Sequence, residues 1–258
     1  MTRALRAEWT KLVTTPGAFW LLAATVVLTV GVGAATAAAA TYPPFNAVQD
    51  LPKTALTGVL VGQAVVAILA VLAVGTEYST GLIRVTLLAV PRRTQVLVAK
   101  AALVGALTAG AGILAAAGSL VAGRILLAHN GFTPAHGYAL LSLGDGPTLR
   151  AAVGTVAYLV LVGLLTLGVA TAVRDTGAGI GAVLGLLLLF PLIAHAISNP
   201  HWQRHLNQIG PMTAGLLVQV TTNLRHQVLS PWAGLGVLAA WAAGALALGG
   251  LLLAVRDA

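Results

Sequence analysis

No cysteine occurs among the 258 residues of this chain, so it has no disulfide framework, no thiolate metal site and no thiol chemistry. Charge is almost as scarce: 8% of residues are Asp, Glu, Lys or Arg, whereas 58% are hydrophobic. So few charges cannot clothe a water-exposed surface, and we read the chain as an all-α integral membrane protein. Catalytic signatures are missing too. There is no Gly-x-Ser-x-Gly elbow, no His-Glu-x-x-His pair and no Gly-x-x-x-x-Gly-Lys-Ser/Thr phosphate loop, which leaves no visible catalytic residue and no means of hydrolysing ATP. The acids Glu8, Asp50, Glu77, Asp145, Asp175 and Asp257 all map to loops, termini or the ends of apolar runs. Ion-driven carriers generally bury carboxylates near mid-membrane, so their placement argues against a secondary carrier. Neither a fixed-period repeat nor an inverted symmetry between halves is visible.

What the chain does have is six apolar runs, at 18–40, 57–76, 96–124, 150–173, 178–198 and 231–255. Each is near the ~20 residues that a helix needs to cross the hydrocarbon layer. Helices are the expected form, because a barrel would show short alternating strands. The whole of 1–258 reads as one membrane-spanning domain. Its 14 Lys and Arg against 6 Asp and Glu give a formal charge of +8, but the charges fill the gaps between runs. That pattern fits a topology signal and not a nucleic-acid-binding face. With the N-terminus inside, Arg3, Arg6, Lys11, Arg84, Arg92, Arg93, Lys100, Arg174 and Arg256 are cytoplasmic, nine against the five outer residues Lys53, Arg124, Arg150, Arg204 and Arg225. Both termini are therefore expected in the cytoplasm, with the protein in the cytoplasmic membrane.

Residues 2–15 place Leu5, Trp9 and Leu12 on one helical face and Arg3, Arg6 and Lys11 off it. This reads either as an amphipathic helix lying in the membrane interface, with Trp9 as an anchor, or as a plain basic flank. The segment is too amphipathic, and the next run too long, for a cleaved signal peptide, so it is expected to stay on the mature protein. On the outer side, 42–53 is proline-broken and 129–147 is rich in turn residues. In 199–230, Trp202, Leu206 and Ile209 recur at helical spacing before Gly210-Pro211, and Leu216, Leu217 and Val220 after it. Two short interfacial or re-entrant helices are expected there.

The most patterned polar stretch is 77–93, from Glu77-Tyr78-Ser79-Thr80-Gly81 through Arg84 to Val90-Pro91-Arg92-Arg93. Tyr78, Leu82 and Val85 can share a helical face, and the arginines offer donors to a soluble partner. A surface helix anchored by Tyr78 and neutralised by lipid phosphates fits equally well. Gln63 reads as a polar tie between helices or a cavity-lining residue. His195, near the outer end of its run, is either a pathway residue or a group satisfied at the interface. His201 and His205 stand at i, i+4 without an apparent third ligand, so no metal site is expected. Gly58 and Gly62, and Gly177, Gly181 and Gly185, form small-residue stripes that favour close packing within the subunit over a dimer seam.

Taken together, Gly58-Val59-Leu60-Val61-Gly62-Gln63, Thr76-Glu77-Tyr78-Ser79-Thr80-Gly81-Leu82-Ile83-Arg84 and Ala89-Val90-Pro91-Arg92-Arg93 resemble the second span and following cytoplasmic helix of type-2 ABC exporter permeases, in the form common among high-GC Gram-positive bacteria. Glu8-Trp9-Thr10-Lys11-Leu12, Ile209-Gly210-Pro211-Met212 and Ser230-Pro231-Trp232-Ala233-Gly234 are similar too. The resemblance implies a permease dimer, of like or unlike subunits, on cytoplasmic ABC ATPases that bind the ATP and Mg; this chain would bind no cofactor. It also implies a connecting helix at the N-terminus, outer gate helices in 199–230, and a coupling helix in 77–93. Glu77, Tyr78, Gly81 and Arg84 would do the coupling and Arg92 and Arg93 would anchor at the membrane surface. The cargo would be hydrophobic or amphipathic. An ion-driven carrier and a cargo-free membrane scaffold or sensor are the other readings.

Overall fold

The computed structural model describes residues 2–14, 16–42, 49–82 and 93–255. Among these residues helices are the sole regular secondary structure, joined by short turns and without a strand. Its helices are α1 (Thr2–Thr14), α2 (Pro16–Ala39), α3 (Leu51–Leu56), α4 (Val59–Ser79), α5 (Arg93–His129), α6 (Gly146–Val173), α7 (Thr176–Ala196), α8 (Pro200–Ile209), α9 (Pro211–Gly215) and α10 (Pro231–Val255).

Six helices are long and apolar enough to cross a membrane: α2, α3 running into α4, α5, α6, α7 and α10. They fall on the six expected runs, with ends displaced by a few residues. The largest shift is at Leu51, six residues before the expected start at 57; the longest helix is α5, with 37 residues. At about 1.5 Å per residue it exceeds the ~30 Å hydrocarbon thickness by several turns. Most of that excess was already in the expected run, and only 93–95 and 125–129 lie beyond it.

Polar residues set the helix boundaries. Asp50, Asp145, Asp175 and Asn199 are the N-caps of α3, α6, α7 and α8, their side chains accepting from the backbone N–H of Lys53, Thr148, Ala178 and His201. Each satisfies a donor that the first helical turn leaves open. At the other end of α2, the Asn130 amide donates to the carbonyls of Ala37, Ala38 and Ala40 at 2.9–3.1 Å. Helix α4 stops at Thr80, and Gly81 follows with φ +73°, a left-handed conformation that glycine adopts without a Cβ penalty.

Helices α4 and α6 form the centre of the bundle: 67% and 56% of their most apolar stretches are buried, against 22% for α2, α7 and α10. Val66, Tyr158, Leu159, Val162 and Leu238 make a continuous core between α4, α6 and α10. Gly168 faces the backbone at Ala245, and Gly249 faces the Gly168 carbonyl, so α6 and α10 meet almost backbone to backbone.

The proline-broken 42–53 segment contributes α3, which leads into α4 through a single turn. As the Gly210-Pro211 break indicated, 199–230 is split. Helix α8 has no buried residue, while α9 and the 3-10 turn Leu216–Gln219 insert Ala214 and Val218 into the core.

Candidate functional site

The two ends of the bundle hold most of its polar side chains. One carries α1, the C-terminal turn of α4, the start of α5, the α6–α7 connection and the last turn of α10; we call it the α1 end. Here four charged side chains from three helices converge. Lys100, on the first turns of α5, donates to Glu8 Oε2 at 2.6 Å, Glu77 Oε1 at 2.7 Å and the Ala73 carbonyl at 3.0 Å. These three acceptors match the three protons of an ammonium. Lys11 donates to Glu8 Oε1 at 2.9 Å and to Glu77 Oε1 at 2.7 Å. Two carboxylates and two ammonium groups balance in charge, which is the condition for burying them.

Each residue reaches the cluster for a local reason. Glu8 and Lys11 are three apart on α1 and so share a face. Ala73 and Glu77 are one turn apart on α4, and the small side chain of Ala73 leaves its carbonyl accessible to Lys100. Glu8, Glu77 and Lys100 are each about 5% exposed, whereas the Lys11 side chain is 38% exposed. Burial works against the Lys11 charge, but hydrogen bonds to Glu77 and Glu8 and the charges of both carboxylates outweigh it. Its pKa therefore lies above the ordinary lysine value of 10.5. Among the described residues Glu77 Oε2 has no hydrogen-bond partner, though it is buried.

Beside the cluster, the guanidinium of Arg174 lies 5.4 Å from the centroid of the Tyr78 ring, and its Nη2 donates to the Leu252 carbonyl at 3.1 Å. Arg93 Nη1 donates to the Leu253 carbonyl at 2.8 Å. Both arginines thus meet carbonyls near the C-terminal end of α10, the negative end of its dipole.

The sequence-predicted residues can now be placed. Glu77 is turned inward, onto the lysines. Tyr78 packs beneath Arg174, and Gly81 forms the turn after α4. Arg84, Arg92 and Val85 lie outside the described residues, as do residues 83–92 as a whole. Arg93 is bonded to the end of α10. Trp9 is half exposed, but the α1 face turned to the bundle is that of Glu8 and Lys11. The amphipathic reading had placed Lys11 only off the apolar face, because hydropathy alone cannot foresee an ion pair with a distant segment.

Gln63 is buried and ties three helices. It accepts from the Tyr158 hydroxyl of α6, and its amide donates to the Leu60 carbonyl and to Met212 Sδ of α9. His195 is exposed, with its Nδ1 2.7 Å from the Pro191 carbonyl of its own helix. His201 and His205 meet edge to face with ring centroids 4.5 Å apart, and the described residues contain no group of three side chains able to hold a metal. Gly58 and Gly62 pack on Thr29 of α2, as expected of an internal seam, but Gly181 and Gly185 face open space. The internal packing expected of that second stripe is not found.

Glu8, Lys11 and Lys100 were missed as site residues. The signal that could have found Lys100 is its place inside a long apolar run, where an unpaired lysine is costly.

No protein-family model matches this sequence, and no curated protein matches it. Fold and composition define a class, a multi-pass helical membrane protein with six candidate spans.

Proposed function

We propose that this chain is the membrane-spanning permease subunit of an ATP-binding-cassette exporter of the type-2 class. It would move a hydrophobic or amphipathic substrate with ATP hydrolysed on a separate cytoplasmic subunit. The observation that carries the reading is the buried cluster at the α1 end. Glu77, at the head of the segment that resembles a coupling helix, is bonded in one network to α1 and α5. A partner pushing on 77–93 would therefore move three helices together, as coupling to an ATPase requires. In this reading Glu77 passes force inward, while Tyr78, Gly81 and Arg84 set the shape and contacts of the segment. The α1 end faces the cytoplasm, in line with the arginine and lysine bias. The unpacked stripe at Gly181 and Gly185 is available to a second permease copy.

The test is purification from native membranes in mild detergent, with every co-purifying subunit identified. A stoichiometric ATPase whose activity falls with Arg84→Ala is expected. A well-folded chain that purifies without one would overturn the proposal.

One observation favours an ion-driven carrier instead: buried acids and a lysine with an unsatisfied carboxylate oxygen. Their position at the helix ends counts against it. Transport that persists without ATP and stops with a protonophore would establish that second reading.

A further inference from the structure

At the end of the bundle opposite α1, a cavity of about 340 Å³ lies between α8 and the segment 225–228. Arg204, Gln208, Arg225, His226 and Gln227 line it, and no acid does. Neither arginine side chain has a hydrogen-bond or ion-pair partner among the described residues. The carboxylates of this end are committed elsewhere, Asp50 to Thr221 and Thr222 and Asp145 to the first turn of α6. Two guanidinium groups on one cavity repel each other, and their donors suit a shared anion.

A second cavity, of about 710 Å³, runs between α6, α7 and α10 and meets the first at Gln208, which lines both. Leu165, Val169, Leu186, Leu248 and the Trp241 ring give it an apolar lining. Gly244 and Leu248 are exposed, so this groove opens sideways, where lipid would lie. Helix α8 sets the depth. Its exposed Trp202 and Ile209 stand on the helical face away from Arg204, as in an interfacial helix, and this holds Arg204 at headgroup level.

We infer that the two cavities together hold one anionic phospholipid from the leaflet at this end, its phosphate between Arg204 and Arg225 and an acyl chain along the groove. Charge complementarity chooses the occupant. A soluble anion would leave the groove unused, and an apolar helix would leave the arginines without a counter-charge. A zwitterionic lipid would bring its own ammonium into a site that already carries two positive charges. The inference stands whether or not the chain moves cargo.

The test uses the full chain in detergent, titrated with dioctanoyl phosphatidylglycerol, dioctanoyl phosphatidylcholine or glycerol 1-phosphate, with adducts counted by native mass spectrometry. One phosphatidylglycerol is expected to bind about tenfold more tightly than phosphatidylcholine, with glycerol 1-phosphate weaker still. Two variants separate the head from the chain. Arg204→Gln with Arg225→Gln changes only exposed, unpartnered side chains and should remove the preference while thermal stability is kept. Gly244 lines the groove, and a Cβ there meets nothing within 4 Å, so Gly244→Leu fills the groove without touching the arginines and should weaken both lipids. Equal binding of the two lipids, a preference that survives the double variant, or glycerol 1-phosphate as tight as the lipid would each overturn the inference. So would a lipid-free dimer that Gly244→Leu breaks into monomers, which would give the groove to a second copy of the chain.

Discussion

The two ends of the bundle solve the same problem, holding distant segments together, with different chemistry. At the α1 end the ties are long charged side chains that meet one another: Glu8 and Lys100 are 92 residues apart in sequence, and Lys11 and Glu77 are 66 apart. At the opposite end one short carboxylate grips backbone and hydroxyl groups. Asp50 accepts from the N–H of Thr221 at 2.6 Å and of Thr222 at 3.1 Å, and from both threonine hydroxyls, while also capping α3. Arg150 donates to the Val220 carbonyl at 2.7 Å, and Gln219 bonds to Leu56 and Thr155. The difference lies in what each arrangement permits. Backbone-directed bonds fix one geometry, whereas two flexible lysines sharing two carboxylates can exchange partners as helices shift. The first arrangement is a scaffold and the second is suited to a moving joint.

The largest effect should come from breaking the charge balance. Lys100→Met leaves two buried carboxylates facing, among the described residues, Lys11 alone, and removal of one partner from a buried ion pair typically costs about 3–5 kcal/mol. A loss of that size is expected in denaturant unfolding of the detergent-solubilised protein; unchanged stability would mean that the cluster does not hold the α1 end together. Asp50→Ala should cost less, about 1–3 kcal/mol, since the groups left behind are neutral donors. It should also speed proteolytic cleavage within 199–230, which Lys100→Met should leave untouched. If both variants loosen both ends equally, the separation drawn between them is wrong.

The glycine stripes allow a finer contrast. A Cβ at Gly58 would collide with the Thr29 carbonyl, so Gly58→Ala should destabilise by about 1–3 kcal/mol. At Gly181 a Cβ meets nothing within 4 Å, and Gly181→Ala should be neutral or stabilise by up to about 1 kcal/mol. Thermal unfolding of the two single variants reads the difference directly.

The smallest effect is one of pH. Because the folded-state pKa of Lys11 is raised above 10.5, its contribution is complete below about pH 10.5 and fades as pH climbs through the raised value. Unfolding curves of the unmutated protein and Lys11→Gln should accordingly be separated at neutral pH and converge in strong alkali. A constant separation would show that Lys11 acts through packing alone.

Much of this was legible in the residues. Long apolar runs with few charges could only be spans, and Asp50, Asp145 and Asp175 stood between them, where the structure uses them as helix caps. The Gly210-Pro211 break marked the division between α8 and α9. The candidate site was legible only in part. Glu77 stood out through the pattern around it, but its partners did not, because a buried ion pair joins residues whose separation carries no local signal. Lys11 and Lys100 read as two more charges in a topology count.

The sequence by itself determined the class of this protein, since apolar length and the scarcity of charge act locally along the chain and need no partner. Only the tertiary structure decided which charges are buried and with whom. Burial of a carboxylate or an ammonium is tolerable only beside its counter-ion, and that neighbour is brought from a distant segment by the packing of α1, α4 and α5.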